Sequence, residues 1–171
     1  MITIVDYQMG NLHSVKRKLD RLQVDSQISF DPERIRTADK LILPGVGHFG
    51  KAMDQLHKKN LVTSLNEAVL ERGTPILGIC LGMQLMANIS FESSDPDGCE
   101  GLGWFDAEVL RLKVKDSLRY KIPHTGWNSA SLEKKDPLFN GISDHADFYF
   151  VHAYHFKANN PEDILTISDY E

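Results

Sequence analysis

Residues 75–84 read Pro75-Ile76-Leu77-Gly78-Ile79-Cys80-Leu81-Gly82-Met83-Gln84, an apolar run broken at a cysteine with glycines two positions before and two after it. The run from Ile76 to Ile79 predicts a buried strand, and the helix-favouring Leu81-Gly82-Met83-Gln84-Leu85-Met86 predicts a helix entered without a linker. Cys80 then stands on the turn, alone at the carboxyl end of the strand. The spacing G-x-C-x-G has the mechanics of a nucleophile elbow: the turn is tight and strained, and glycines on either side let neighbouring backbone pass without a Cβ collision. In the first turn of a helix, free amides and the positive dipole end favour the thiolate, the form that attacks carbonyls. A cysteine at the end of a core strand is also commonly a small packed hydrophobe, but packing alone has no need of the two glycines.

The chain around this stretch has 171 residues, 42% hydrophobic and 25% charged, which suits one globular domain with a full core. The formal net charge is −5 and the longest basic cluster is Lys16-Arg17-Lys18, so no nucleic-acid partner is implied. That triplet reads as the solvated face of a helix. Cys80 and Cys99 do not make a disulfide framework, and the strand-like start Met1-Ile2-Thr3-Ile4-Val5 lacks the apolar core of a signal peptide. A reducing cytoplasm is the expected setting, and no run approaches membrane-spanning length.

The first half alternates strands and helices. Ile2 to Val5 is a strand, followed by Leu12, Val15, Leu19 and Leu22 at helical spacing behind a cap at Asn11. Ser26 to Phe30 is a second strand, and Lys40 to Leu43 a third, stopped by Pro44-Gly45. Phe49, Met53 and Leu56 mark one helix, and Leu61, Leu65, Ala68 and Val69 another. The pattern predicts an α/β fold, a three-layer sandwich whose mostly parallel central sheet is flanked by helices and carries ligands at the carboxyl ends of its strands. Beyond Phe91, short alternating segments at Phe105 to Leu112, Tyr120 to Ile122, Asp147 to Phe156 and Ile164 to Ser168 predict antiparallel strands appended to that sheet. Ser93 to Gly98 has the composition of a surface loop.

Two loops join Cys80 at the same sheet edge. Pro44-Gly45-Val46-Gly47 follows a strand, and an amide from Gly45, Val46 or Gly47, with that of Leu81, could receive the charge formed when Cys80 attacks an amide carbonyl. A plain turn is the simpler alternative. Asp6 to Asn11 closes the first strand. Gln84, one turn past Cys80, and Glu92, after the elbow helix, could hold the polar ends of a small amino acid. Further on, Pro123-His124-Thr125-Gly126-Trp127-Asn128 reads as a loop suited to a contact surface. Phe148 to Tyr154 is an aromatic strand whose His152 is more simply a satisfied core residue than a base.

Asp6-Tyr-Gln-Met-Gly-Asn-Leu, Pro44-Gly-Val-Gly, Gly78-Ile-Cys-Leu-Gly-Met-Gln, Pro123-His-Thr-Gly-Trp-Asn and Phe150-Val-His-Ala-Tyr resemble, in order and spacing, the glutamine amidotransferase subunits of imidazole glycerol phosphate synthase. These are class I, triad-type glutaminases of histidine biosynthesis. The resemblance covers the chain almost end to end and implies a single class I amidotransferase domain over residues 1–171. It implies that Cys80 attacks the side-chain amide of glutamine and that the ammonia passes to a (β/α)8-barrel cyclase subunit, as a heterodimer, with no cofactor and no metal. By motif match, Gly45 and Gly47 line the oxyanion and substrate loop, and Gln84 and Glu92 bind glutamine. On the same basis Asn11, Trp127, Asn128 and Tyr149 face the partner.

One family element is missing from the pattern. The family's base and acid are the histidine and glutamate of a His-Pro-Glu motif, and none of the seven histidines here precedes Pro-Glu; the two Pro-Glu pairs, Pro32-Glu33 and Pro161-Glu162, follow Asp31 and Asn160. The expectation is that a terminal strand and helix lie outside these residues and that Cys80 alone represents the triad. Two other functions stay open: a non-catalytic module that binds a barrel partner, and an amidotransferase serving a related barrel in another pathway, such as surface-sugar amidination.

Overall fold

Four parallel strands carry the residues of interest: β1 (Ile2–Val5), β2 (Ser26–Ser29), β3 (Lys40–Gly45) and β4 (Ile76–Cys80), in the spatial order β2-β1-β3-β4. The computed structural model describes residues 1–92 and 95–171. Strands in one direction put their carboxyl ends at one edge. The loop after β1, the glycine loop after β3 and Cys80 therefore meet there, as the alternating pattern predicts.

Helices follow from local chemistry. Helix α1 (Leu12–Arg21) is capped by Asn11, whose side chain accepts from the Ser14 amide at 3.3 Å. Its apolar stripe is only half-buried, and Leu22 lies past its end, 59% exposed. A short helix that the apolar pattern does not reveal, α2 (Pro32–Arg36), starts at Asp31, which accepts from the Glu33 amide, and has Pro32 in its first turn. Helices α3 (Phe49–Lys58) and α4 (Leu61–Asn66, continued by a wide turn over Glu67–Glu71) fall where the spacing places them. They bury Phe49, Met53, Leu56, Leu61, Leu65 and Ala68.

The third strand does not stop before Pro44. It runs on through Gly45, pairing Pro44 with Ile79 and Gly45 with Cys80. Proline fits because β1 pairs with β3 only as far as Ile42, so at Pro44 that side of the strand needs no N–H donor. Strand β4 is not buried as its apolar run predicts. It is the outer strand of the sheet, and Leu77 and Ile79 are 41% and 37% exposed. The helix after it, α5 (Leu81–Gln84), is a single turn rather than a run to Met86. At Leu85 and Met86 the chain leaves the helix for β5 (Ala87–Ser90).

The second half forms its own sheets instead of extending the first. Strands β5, β6 (Cys99–Glu100), β7 (Phe105–Arg111) and β10 (Tyr154–Ala158) make one sheet in the order β10-β7-β5-β6, mixed because β5 and β7 are parallel. Strands β8 (His124–Leu132), β9 (Ala146–His152) and β11 (Thr166–Ile167) make a three-stranded antiparallel sheet. The aromatic segment expected as one strand over 147–156 is thus two, broken at Ala153, each serving a different sheet. Tyr120 to Ile122 is not a strand, and the Ile164 to Ser168 strand shrinks to two residues. Of the loop expected over 93–98, Ser93 and Ser94 lie outside the described residues, and Asp95 to Gly98 closes as a turn through the Gly98 amide and the Asp95 carbonyl at 3.1 Å. One core unites the first two sheets: Val5, Tyr7, Leu43, Phe49, Leu56, Leu81 and Leu85 pack in the same cluster as Ala87, Ala107 and Val109.

Candidate active site

Cys80 has φ 54° and ψ −116°, a backbone conformation an L-residue holds only at a cost of about 1–3 kcal/mol, and its side chain is exposed. The glycines around it explain how the turn closes. A Cβ on Gly78 would stand 2.5 Å from the Met83 Cα, and one on Gly82 would collide with the Leu43 carbonyl. Gly45, opposite Cys80 in the ladder, is hemmed in by the Tyr7 hydroxyl, the Gly82 amide and the Leu81 side chain. Three bare positions, Gly45, Gly78 and Gly82, therefore let β3, β4 and α5 approach as backbone, as the G-x-C-x-G spacing predicts for the last two. A one-turn helix supplies little dipole, and what stands beside Cys80 is the pair of first-turn amides of Leu81 and Gly82, which have no acceptor within the helix.

The glycine loop continues with Val46, 55% exposed, and Gly47 at φ 102°, where a left-handed backbone suits glycine. His48 then caps α3 through its Nδ1, which accepts from the Gly50 amide at 3.1 Å. Beside it, the Glu92 carboxylate accepts the Phe49 amide at 2.6 Å. Glu92 is thus tied to the first turn of α3, directly after the glycine loop, where negative charge is favoured. The Asp6–Asn11 loop closes the other side, with Gly10 against the Pro44 carbonyl and Asn11 engaged as the cap of α1.

Gln84 is half-buried, and its amide nitrogen donates to the Tyr154 carbonyl at 3.1 Å. That bond uses one of the two N–H donors and fixes which end of the amide is which, leaving the Gln84 oxygen able to accept and the second N–H able to donate.

Tyr7 was not singled out by its sequence position. Its ring is fully buried and its hydroxyl finds no hydrogen-bond partner among the described residues. Burial, and then negative charge at Cys80, push its pKa well above the ordinary phenol value, so the hydroxyl stays protonated. Cys99 differs from Cys80: burial, then Asp54, Glu100 and Asp95, raise its thiol pKa.

The stretch expected as a contact loop, Pro123 to Asn128, is mostly strand, because β8 starts at His124. Paired with β9, it forms a ribbon with two unlike faces. Trp127 and Tyr149 lie opposite each other, 73% and 57% exposed, with rings edge to face at 5.6 Å. Asn128 points the other way in the pleat and donates to the Asp169 carbonyl at 2.6 Å. His124 is on the inner face, stacked between Phe150 and Tyr170 at 4.9 and 3.9 Å, and its Nδ1 lies 3.2 Å from Nε2 of His152. Among the described residues, no group of three His, Cys, Asp or Glu side chains could hold a metal ion, and no helix is long and apolar enough to cross a membrane.

The family model described as glutamine amidotransferase class-I matches residues 3–171. Imidazole glycerol phosphate synthase subunit HisH 1 of Campylobacter jejuni subsp. jejuni serotype O:23/36 (strain 81-176) is 43% identical over 160 residues, covering 94% of this chain and 77% of its own. Subunit HisH of Bacillus cereus (strain G9842) is 45% identical, covering 99% of this chain and 77% of its own. Among solved structures, one described as a glutamine amidotransferase superposes with a TM-score of 0.71 at 17% identity, covering 97% of this chain and 79% of that one, a likeness of fold. The chain belongs to the class-I glutamine amidotransferases and, within them, to the family of the imidazole glycerol phosphate synthase subunit HisH.

Proposed function

We propose that the protein is the glutaminase subunit of an imidazole glycerol phosphate synthase and that Cys80 is its nucleophile. The observation that carries the reading is the strained, exposed Cys80 facing Gly45 across the β3–β4 ladder. The Cys80 sulfur attacks the side-chain amide carbon of glutamine, and the carbonyl oxygen becomes an oxyanion received by the Leu81 amide and one from Gly45 to Gly47. The carbon–nitrogen bond breaks, the nitrogen leaves as ammonia with a donated proton, and water attacks the thioester to release glutamate and the thiol. Gln84 and Glu92 frame the amino-acid end of the substrate.

The ammonia passes to a barrel cyclase subunit docked on the ribbon face of Trp127 and Tyr149; Asn128 lies on the other face, held by the Asp169 carbonyl, and Asn11 is engaged as the cap of α1. A reducing cytoplasm suits the free nucleophilic thiol. The proton donor and water activator belong to a His-Pro-Glu segment that the 171 residues do not contain. Support for its place comes from β4, whose outer edge pairs with no strand among the described residues and exposes Leu77 and Ile79 beside Cys80. A strand laid there, continued by a helix, would bring a histidine to the sulfur.

Glutamate release decides between this reading and a binding-only module. With a cyclase partner present, a chain continued through a His-Pro-Glu segment is expected to turn glutamine over, and the 171 residues alone to do so about 10²- to 10⁴-fold more slowly, the usual worth of general acid–base catalysis. Equal turnover by both would make a histidine already present, His152 first, the base.

A further inference from the structure

Two hydrogen-bond donors from distant parts of the chain converge on one carbonyl. The Tyr154 oxygen accepts the Gln84 amide nitrogen at 3.1 Å and Nδ1 of His152 at 2.9 Å. A carbonyl only accepts, so Nδ1 of His152 carries a proton. In the neutral ring Nε2 then holds a lone pair, and Nδ1 of His124, 3.2 Å away, donates to it. His124 is itself fixed between the rings of Phe150 and Tyr170 and paired with His152 across the β8–β9 ladder. The chain crosses from one sheet to the other at Ala153, between His152 and Tyr154, so the position of the Tyr154 carbonyl depends on what ties that crossing down.

We infer that His152, oriented by His124, is a positioning residue for the glutamine site: it holds the Tyr154 carbonyl where that oxygen can fix the Gln84 amide with its own oxygen free for the substrate. The proposal rests on Gln84 binding glutamine. Within that role the amide oxygen accepts and so suits the α-ammonium of the substrate, while a carboxylate could be met only by the second amide N–H. The hydrogen bonds of His152 among the described residues run to the Tyr154 carbonyl and to His124, so it acts on the site through that carbonyl. Its influence is on affinity for the amino-acid end, while the reactivity of Cys80 is left alone.

The test measures alkylation of Cys80 in the 171-residue chain by two reagents, a diazo-ketone glutamine analogue and iodoacetamide. Loss of one neutral hydrogen bond is worth about tenfold. His152→Phe is therefore expected to raise the half-saturating concentration of the analogue about tenfold and to leave its limiting rate within about twofold. The iodoacetamide rate should not move. His152→Asn, whose side-chain amide places an N–H near the position of Nδ1, should restore affinity, and His152→Phe should add nothing in a Gln84→Ala background. His124→Phe keeps the aromatic stack and loses the donor, so it should weaken affinity in the same direction and by less; it also serves if His152→Phe fails to fold. Unchanged half-saturation in His152→Phe, while Gln84→Ala raises it, overturns the proposal and leaves the Gln84 reading intact. Equal slowing with both reagents, or no rescue by Asn, would show a general structural defect and overturn it as well. If Gln84→Ala itself changes nothing, the substrate-binding role of Gln84 fails first.

Discussion

The Tyr7 hydroxyl is sealed beside Gly45 without a partner among the described residues, and an unsatisfied buried hydroxyl costs about 1–3 kcal/mol. Tyr7→Phe removes the polar atom and keeps the ring, so it is expected to raise the unfolding free energy by about 1 kcal/mol, read from the urea midpoint at unchanged slope. A loss of stability would mean that the hydroxyl has a partner. Cys80 and the glycines at 78 and 82 were legible in the sequence because a symmetric pair of glycines about a cysteine has few uses apart from a tight turn. The part of Gly45 opposite Cys80 was half-legible: the loop was evident, but its pairing with Cys80 depends on β3 running past a proline. Tyr7 was not legible, since nothing local distinguishes a buried tyrosine in a loop from an exposed one.

Strands and helices that obey one period were read well, and those that answer to tertiary neighbours were not. Strand β1, the Asn11 cap and helices α3 and α4 stand where periodicity and capping put them. Helix α5 stops after one turn although Leu85 and Met86 are good helix formers, because both are buried in the core as the chain turns into β5. The aromatic run over 147–156 hid its break at Ala153, since two strands in different sheets leave the same alternation as one. Two histidines, His124 on β8 and His155 on β10, make stability depend on pH. Burial, then the charge of His152, holds the His124 pKa below the ordinary histidine value of 6.5; for His155 the causes are burial, His152 and Lys157 in that order. Below about pH 6.5 the unfolded chain takes up protons that these folded rings resist, so stability should fall as pH drops through that value. Denaturant midpoints between pH 8 and 5.5 check this, and His124→Gln with His155→Gln should flatten the slope. An unchanged slope would remove these two rings as its cause.

The assembly and the reaction depend on surfaces the domain leaves open. Trp127 is 73% exposed on the β8–β9 ribbon with Tyr149 beside it, the arrangement of an interface anchor. Trp127→Ala is expected to weaken association with a cyclase subunit by about 2 kcal/mol, roughly thirtyfold in affinity by calorimetry, with the thermal midpoint of the free subunit little changed. Unchanged affinity would place the interface elsewhere. The fold class was legible from alternating strands and helices; the edge position of β4 was not, because an apolar run does not say whether a neighbouring strand covers it. Whether Cys80 is the nucleophile is decided by the relative reactivity of the two thiols. Cys80 is exposed on its elbow beside free amides, whereas burial and nearby carboxylates raise the Cys99 thiol pKa and keep it protonated. After brief treatment with a diazo-ketone glutamine analogue, peptide mapping by mass spectrometry should find the label on Cys80, with glutamine protecting it and Cys99 unmodified. Equal labelling of both cysteines, or labelling of Cys99 alone, would contradict the assignment of Cys80 as the nucleophile.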